Sequence, residues 1–274
     1  MTNQRRVLVT GCASGIGKHL SERLVARGHR VMLTDIDEPS LERWTEREWG
    51  GGRDGVLLRH LDVRRSEDWK AALEAMEEEF GGVDMALNIA GYLNPANVVD
   101  MSDEDVERHL DINAKGVVLG TRAAAQAMVR QGGGHIVNMG SLASLSPVPG
   151  LSAYAASKFA VRGFSLSVAE ELRPRGVAVT LMCLDAVKTP MLDLQAGHEE
   201  AALTFSGPGA LTLAQVESLF FEEVWHGRPL EVSLPRHRGV LARLAGTLPG
   251  LNRWMVPWLK RWGRRAQRRY QGES

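Results

Sequence analysis

Two cysteines in 274 residues, Cys12 and Cys183, are too few for a disulfide framework and show no metal-ligand spacing. No segment approaches the apolar length of a membrane span. The opening "MTNQRRVLVTG" offers only a four-residue apolar run before a glycine turn, short of a signal peptide. These absences lead to the expectation of a reduced, cytoplasmic protein without a bound metal. Repeats of solenoid length are missing, and so is net charge, since 33 Lys and Arg meet 33 Asp and Glu. What is present, 44% hydrophobic and 24% charged residues, is the composition of a globular chain that buries its core without staples.

Zero net charge conceals an asymmetry. Residues 236–274 hold ten Lys and Arg against one acid, which leaves residues 1–235 with 23 basic and 32 acidic side chains. An acidic body opposes a phosphate backbone, so no nucleic-acid partner is expected.

Short β-branched runs alternate with longer helical patterns. Strands are expected at 6–10, 30–34, 55–60, 83–88, 134–140 and 177–183, with a seventh at 230–234. Their near-continuous apolar character suits strands buried on both faces of a parallel sheet. Helices are expected over 15–27, 38–49, 67–80, 103–130 and 153–173, with Ser102 and Asp105 as a start signal for the fourth. The alternation predicts an α/β fold with a single doubly wound parallel sheet. Residues 1–235 form the expected dinucleotide-binding and catalytic domain. Within it, 184–229 is the expected substrate lid, carrying a Thr212–Gln215 capping box, and 236–274 is a basic, Trp-rich helical extension.

"TGCASGIG" (10–17) follows the first strand and opens the first helix. Gly11, Gly15 and Gly17 allow a tight turn and close approach of backbone to a pyrophosphate held at the helix N-terminus. Such a loop alone also serves ordinary turns. Asp35, however, ends the second strand, where a carboxylate bonds the ribose hydroxyls of adenosine and repels a 2′-phosphate. Neither Ser14 nor Ile36 adds positive charge, so NAD is expected rather than NADP. Asp62, in "LDV", lies near the expected adenine amine, and "NIAG" (88–91) supplies small residues where backbone passes close to the cofactor.

"YAASK" (154–158) places Tyr154 and Lys158 on one helical face. A phenol with pKa near ~10 is a weak base at neutral pH, and a neighbouring ammonium favours its ionised form. The pair suits acid/base work on an alcohol or carbonyl, with Lys158 free to hold a ribose hydroxyl. Ser141, thirteen residues before Tyr154, can bond the reacting oxygen, and Asn113 in "DINAKG" can complete a proton path through water.

In this order and at these spacings, "TGCASGIG", Asp35, "LDV", "NIAG", Asn113, Ser141 and "YAASK" make the sequence resemble a short-chain dehydrogenase/reductase of the NAD(P) type, over residues 5–191. The resemblance implies a Rossmann fold and a catalytic tetrad of Asn113, Ser141, Tyr154 and Lys158. It implies cofactor contacts from Gly11, Ser14, Gly15, Ile16, Gly17, Asp35, Asp62, Val63, Asn88, Ala90, Gly91, Tyr154, Lys158, Val187 and Thr189. It also suggests a homodimer or homotetramer built on the helices around 113–130 and 153–173. The expected activity is NAD-dependent interconversion of a secondary alcohol and a ketone. The rivals are a non-catalytic NAD(H)-binding sensor or membrane scaffold, and an NADP-dependent ketone reductase.

Two departures stand out. Leu184-Asp185 occupies the family's usual Pro-Gly position, putting a carboxylate beside a ring that is cationic when oxidised; the bland alternative is a solvated loop acid. Ile89 replaces the usual second Asn. The extension is the other novelty. Trp254, Trp258 and Trp262 recur every four residues among Arg261, Arg264, Arg265, Arg268 and Arg269, provided Pro257 sits at a helix start. Peripheral contact with an anionic membrane through 236–270 is one expectation. Packing on the body, a dimer contact and a solvated tail are the others. Leu145, Val148, Leu151, Met191, Leu192, Leu194, Leu203 and Phe205, in and around the lid, suit a steroid-like or long-chain small molecule, and equally an ordinary core.

Overall fold

The sheet order reverses in the middle, and that reversal makes the cleft. A computed structural model describes residues 4–272. Its strands are β1 (Arg6–Thr10), β2 (Arg30–Asp35), β3 (Val56–His60), β4 (Met85–Asn88), β5 (Gly134–Met139), β6 (Val177–Leu184) and β7 (Glu231–Leu234). They lie in the order β3-β2-β1-β4-β5-β6-β7, every pair parallel. Between β1 and β4 the winding changes direction, which opens a crevice at the carboxyl ends of the strands.

Helices α1 (Gly15–Ala26), α2 (Glu38–Trp49) and α3 (Ser66–Phe80) connect the first four strands. Successive side chains of a strand point to opposite faces. Val7, Val9, Val31 and Leu33 therefore pack with Leu20 and Leu24 of α1 and Leu41 and Trp44 of α2. Leu8, Met32 and Ala86 turn the other way, towards Trp69, Ala72 and Met76 of α3 and Met128 further on. Both faces are covered, which is why the strands read as continuous apolar runs.

The helix expected over 103–130 is interrupted. Helix α4 (Asp103–Arg108) passes through a π turn, His109–Lys115, into α5 (Gly116–Gln131). The widened turn carries Asn113, whose amide clamps the backbone after β4. Oδ1 accepts from Tyr92 N at 2.7 Å, and Nδ2 donates to Tyr92 O at 2.9 Å. Helix α6 (Ser152–Leu172) follows β5.

Between β6 and β7 come α7 (Pro190–Ala196), a 3-10 stretch Glu199–Ser206, α8 (Leu213–Leu219), a second π turn and α9 (Trp225–Gly227). The Thr212–Gln215 capping box is present. Glu217 of α8 ties this excursion to α1 through His19 at 3.0 Å, Arg23 at 3.0 Å and Arg27 at 3.2 Å.

The extension folds as α10 (Arg236–Thr247) and α11 (Pro249–Tyr270), and it packs on the chain's own body. Helix α11 lies so close to the 3-10 stretch that a Cβ on Gly263 would stand 1.9 Å from Ala202 O. Gln267, buried, donates to the carbonyls of Gln195, Ala196 and His198 at 3.1, 3.0 and 2.7 Å, closing the C-terminal end of α7. Tyr270 donates to Asp193 at 2.7 Å. Pro257 sits inside α11 rather than at its start.

Candidate active site

A cavity of about 1070 Å³ fills the crevice. At one end lies the glycine loop. Gly11 adopts φ +75° and Gly15 φ +55°, the left-handed region that a Cβ disfavours. A Cβ on Gly17 would meet Gly11 O at 2.1 Å, so only glycine lets α1 begin where it does. Ser14 caps α1 through its backbone alone, its hydroxyl makes no cap bond, and no acid occupies the first turn. Free N–H groups and an unused hydroxyl at an acid-free helix start are the features a pyrophosphate needs. The residues fit a dinucleotide.

Asp35 Oδ2 accepts from Ala13 N at 2.8 Å and Oδ1 from Asp37 N at 3.0 Å, so its carboxylate braces the loop as well as facing the cavity. Asp62 is gripped by Arg64, the Nη2–Oδ2 distance being 2.6 Å, and this bond with the guanidinium holds the carboxyl below its ordinary pKa. The sequence reading missed Arg64, although it stands only two residues beyond Asp62. Ile16, Val63, Ala90, Gly91, Val187 and Thr189 all line the cavity.

Asn88 does not. Its side chain lies beneath the floor, donating to Asn138 Oδ1 at 2.7 Å and Thr121 Oγ1 at 3.2 Å in a buried polar cluster. Strand alternation turns the Asn88 side chain away from the cleft, so a contact from this position would come from its backbone, next to Ala90 and Gly91 in the lining. Asn113 is likewise fully buried below the lining and donates to Ser157 Oγ at 3.0 Å.

Ser141, Tyr154 and Lys158 come together at the cavity wall. Ser141 Oγ accepts from Ala143 N at 3.1 Å in a capping box after β5, which fixes its rotamer. Lys158 Nζ donates to Met139 O at 2.8 Å and stands 5.6 Å from the centre of the Tyr154 ring. Burial pushes the Tyr154 phenol up to about 12, with Ser141 opposing the shift. Burial lowers Lys158 to about 8. His109 stacks edge-on at 6.4 Å from Tyr154 and 4.9 Å from Tyr92, and its Nε2 accepts from Asn94 N. No motif announced that aromatic wall.

Asp185 lines the cavity with Val187 and Thr189. Arg238 of α10 forms an ion pair with it, leaving its side chain 9% exposed. Burial raises the carboxyl's pKa while Arg238 pulls it down. The carboxylate is thus no solvated loop acid, and it borders the cavity with Arg238 beside it.

The far end of the cavity is apolar. Val148, Leu151, Met191, Leu192 and Leu203 line it, whereas Leu145 and Phe205 belong to the core and Leu194 faces solvent. The roof comes from the extension: Leu241 and Leu244 of α10, and Met255, Val256 and Leu259 of α11. Nothing in the sequence signalled that the extension reaches the cleft.

A reversed parallel sheet, a glycine cradle at its switch point and a Ser-Tyr-Lys cluster beside that cradle define an oxidoreductase that works with a bound dinucleotide. The chain belongs to the short-chain dehydrogenase family, whose model matches residues 5–200. It is 37% identical over 190 residues to 2-(R)-hydroxypropyl-CoM dehydrogenase of Xanthobacter autotrophicus, covering 68% of this chain and 76% of that one. It is 37% identical over 187 residues to 3-alpha-(or 20-beta)-hydroxysteroid dehydrogenase of Mycobacterium tuberculosis, covering 68% and 70%. A short-chain dehydrogenase/reductase from Burkholderia phymatum, solved in complex with NAD, superposes with a TM-score of 0.79 at 26% identity, covering 91% of this chain and 95% of that one. The family match ends at residue 200, before the extension that roofs the cleft.

Proposed function

We propose that this chain is an NAD-dependent dehydrogenase or reductase interconverting a secondary alcohol and a ketone on an apolar substrate. The observation that carries the reading is the meeting of Ser141, Tyr154 and Lys158 with the acid-free start of α1 in one cavity. The nicotinamide, when bound, accepts or supplies the hydride. Tyr154 gives or takes the proton at its phenol oxygen. Ser141 keeps its own hydrogen after accepting from Ala143 N, and can donate it to the substrate oxygen. Lys158 spends one N–H on Met139 O and retains two for ribose hydroxyls. Asn113, bonded to backbone and to Ser157 behind the wall, positions rather than touches.

Preference for NAD is supported by Asp35 and Asp37, whose carboxylates line the end of β2. Arg64 is paired with Asp62, and Arg43 donates to Ser40 at 2.7 Å. A 2′-phosphate there would meet acids. The apolar far end favours a bulky, uncharged alcohol, as does the likeness to a hydroxysteroid dehydrogenase. Leu110, Val118 and Phe159, exposed around α5 and α6, support a homodimer across those helices.

The test is nicotinamide absorbance with NAD⁺ or NADP⁺ and a panel of hydroxysteroids, long-chain alcohols and small polar alcohols. Turnover with NAD⁺ and an apolar alcohol is the expected result. Turnover with NADP⁺ alone overturns the cofactor assignment, and turnover restricted to small polar alcohols overturns the substrate class. NADH binding without turnover on any alcohol or ketone returns the protein to the sensor reading.

A further inference from the structure

Helix α11 has two faces of different chemistry. One packs on the lid through Gly263, Ala266 and Gln267. The other is exposed and changes character along its length. Its N-terminal half shows Trp254 at 85%, Trp258 at 59% and Trp262 at 53% exposure. Its C-terminal half shows Arg261, Arg264, Arg265, Arg268 and Arg269. Among the described residues, none of these five arginines forms an ion pair, whereas Arg236, Arg238 and Arg243 at the start of α10 each hold an acid. Helix α10 continues the apolar surface with Val240, Leu241, Leu244 and Leu248, all exposed.

Exposed indoles are costly in water unless something covers them, and a folded chain rarely leaves so many adjoining one another. The second observation is where they sit. Leu241, Leu244 and Met255 are exposed and also line the cavity, so the mouth of the cleft opens within this surface. The third is charge. The body of the chain is acidic and the exposed face of α11 is basic, so a like surface is repelled and an anionic one attracted. Tryptophans at headgroup depth, leucines below them and arginines on phosphates are what an in-plane interfacial helix requires. A second copy would have to set five unpaired arginines against five more.

We propose that the outer face of α10 and α11 docks on an anionic lipid bilayer, setting the apolar rim of the cleft against the membrane. No helix is long and apolar enough to cross a bilayer, so the contact is peripheral. Docking does not depend on which alcohol is turned over, and it is read without turnover.

The full chain, loaded with NADH, is mixed with vesicles of phosphatidylcholine alone or with about 30% phosphatidylglycerol, and bound protein is measured by sedimentation. Binding to the anionic vesicles at least about tenfold stronger than to the neutral ones is expected, weakening as salt is raised. Brominated lipid should quench much of the wild-type tryptophan emission, because Trp254, Trp258 and Trp262 are exposed, whereas Trp44, Trp69 and Trp225 are buried and Trp49 is half-buried. This readout needs no variant. Trp254→Ser/Trp258→Ser/Trp262→Ser should lose vesicle binding while keeping NADH fluorescence, and Arg264→Gln/Arg265→Gln/Arg268→Gln should lose the preference for anionic lipid. Wild-type protein that stays in the supernatant, or that binds without quenching, overturns the proposal. So does a dimer in sedimentation velocity that the triple serine variant splits, since a second copy would then cover the face.

Discussion

The two ends of the cleft are built by different means. The cofactor end is made of backbone: a glycine cradle, a helix start and strand ends whose positions the parallel register fixes. The substrate end is made of side chains reaching from helices far apart in sequence. Gln267 holds α7 across 72 residues, and Arg238 meets Asp185 across 53. Backbone construction demands glycine where Gly17 meets Gly11 O, and it lies inside the family match. Side-chain construction here uses a segment beyond the family match.

The largest effect expected tests what both ends share. Tyr154→Phe should lower turnover by about 10³-fold or more while NADH binding, read by fluorescence, stays near wild type. Next comes a pair of equal substitutions, one at each end. Gly17→Ala, whose Cβ would stand 2.1 Å from Gly11 O, should weaken NADH binding by about 100-fold. Gly263→Ala, whose Cβ would stand 1.9 Å from Ala202 O, should leave NADH binding intact and raise KM for an apolar alcohol by about tenfold. If Gly263→Ala damaged cofactor binding equally, the two ends would not be separate constructions.

A third test asks what holds the roof. Arg238→Met leaves Asp185 buried without its partner and should cost about 3 kcal/mol of unfolding free energy by denaturant titration. Adding Asp185→Leu should restore most of that loss. If it did not, the ion pair would be incidental to the packing of α10. The smallest effect concerns Lys158, lowered by burial from 10.5 to about 8. The unfolded chain holds this proton more tightly, so the native state is penalised at neutral pH and relieved as pH rises. Relative to Lys158→Met, the cofactor-free protein should gain about 2 kcal/mol between about pH 8 and 10. A parallel pH dependence in the two proteins would show that the amine is hydrated after all.

This division also explains what could be read beforehand. The seven strands, and the helices through α6 apart from the one broken at 109–115, stand within two residues of expectation, because register and amphipathic period are local. Ser141, Tyr154 and Lys158 were legible as a motif because a strand end and one helical turn bring them together. The π turn at Asn113 was not, since no Gly or Pro marks it and it is stabilised by Tyr92 and Ser157, each reached only in three dimensions. For Asn88 the motif gives a position in sequence, and the strand's alternation decides that its side chain joins Asn138 and Thr121 beneath the cleft. The roof was illegible altogether: no local pattern in 236–270 says that Leu241 and Leu259 end up over a cavity whose floor is Tyr154.

Gln267 carries one last consequence, in time rather than in space. A chain is synthesised from its N-terminus, and its early parts fold first. All seven strands, the glycine cradle and Lys158 precede residue 235, whereas the glutamine that fastens the roof comes 32 residues later. The residues of the cofactor end are thus all made before the glutamine that fastens the roof, so closing the far end of the cleft is the last step that the order of synthesis permits.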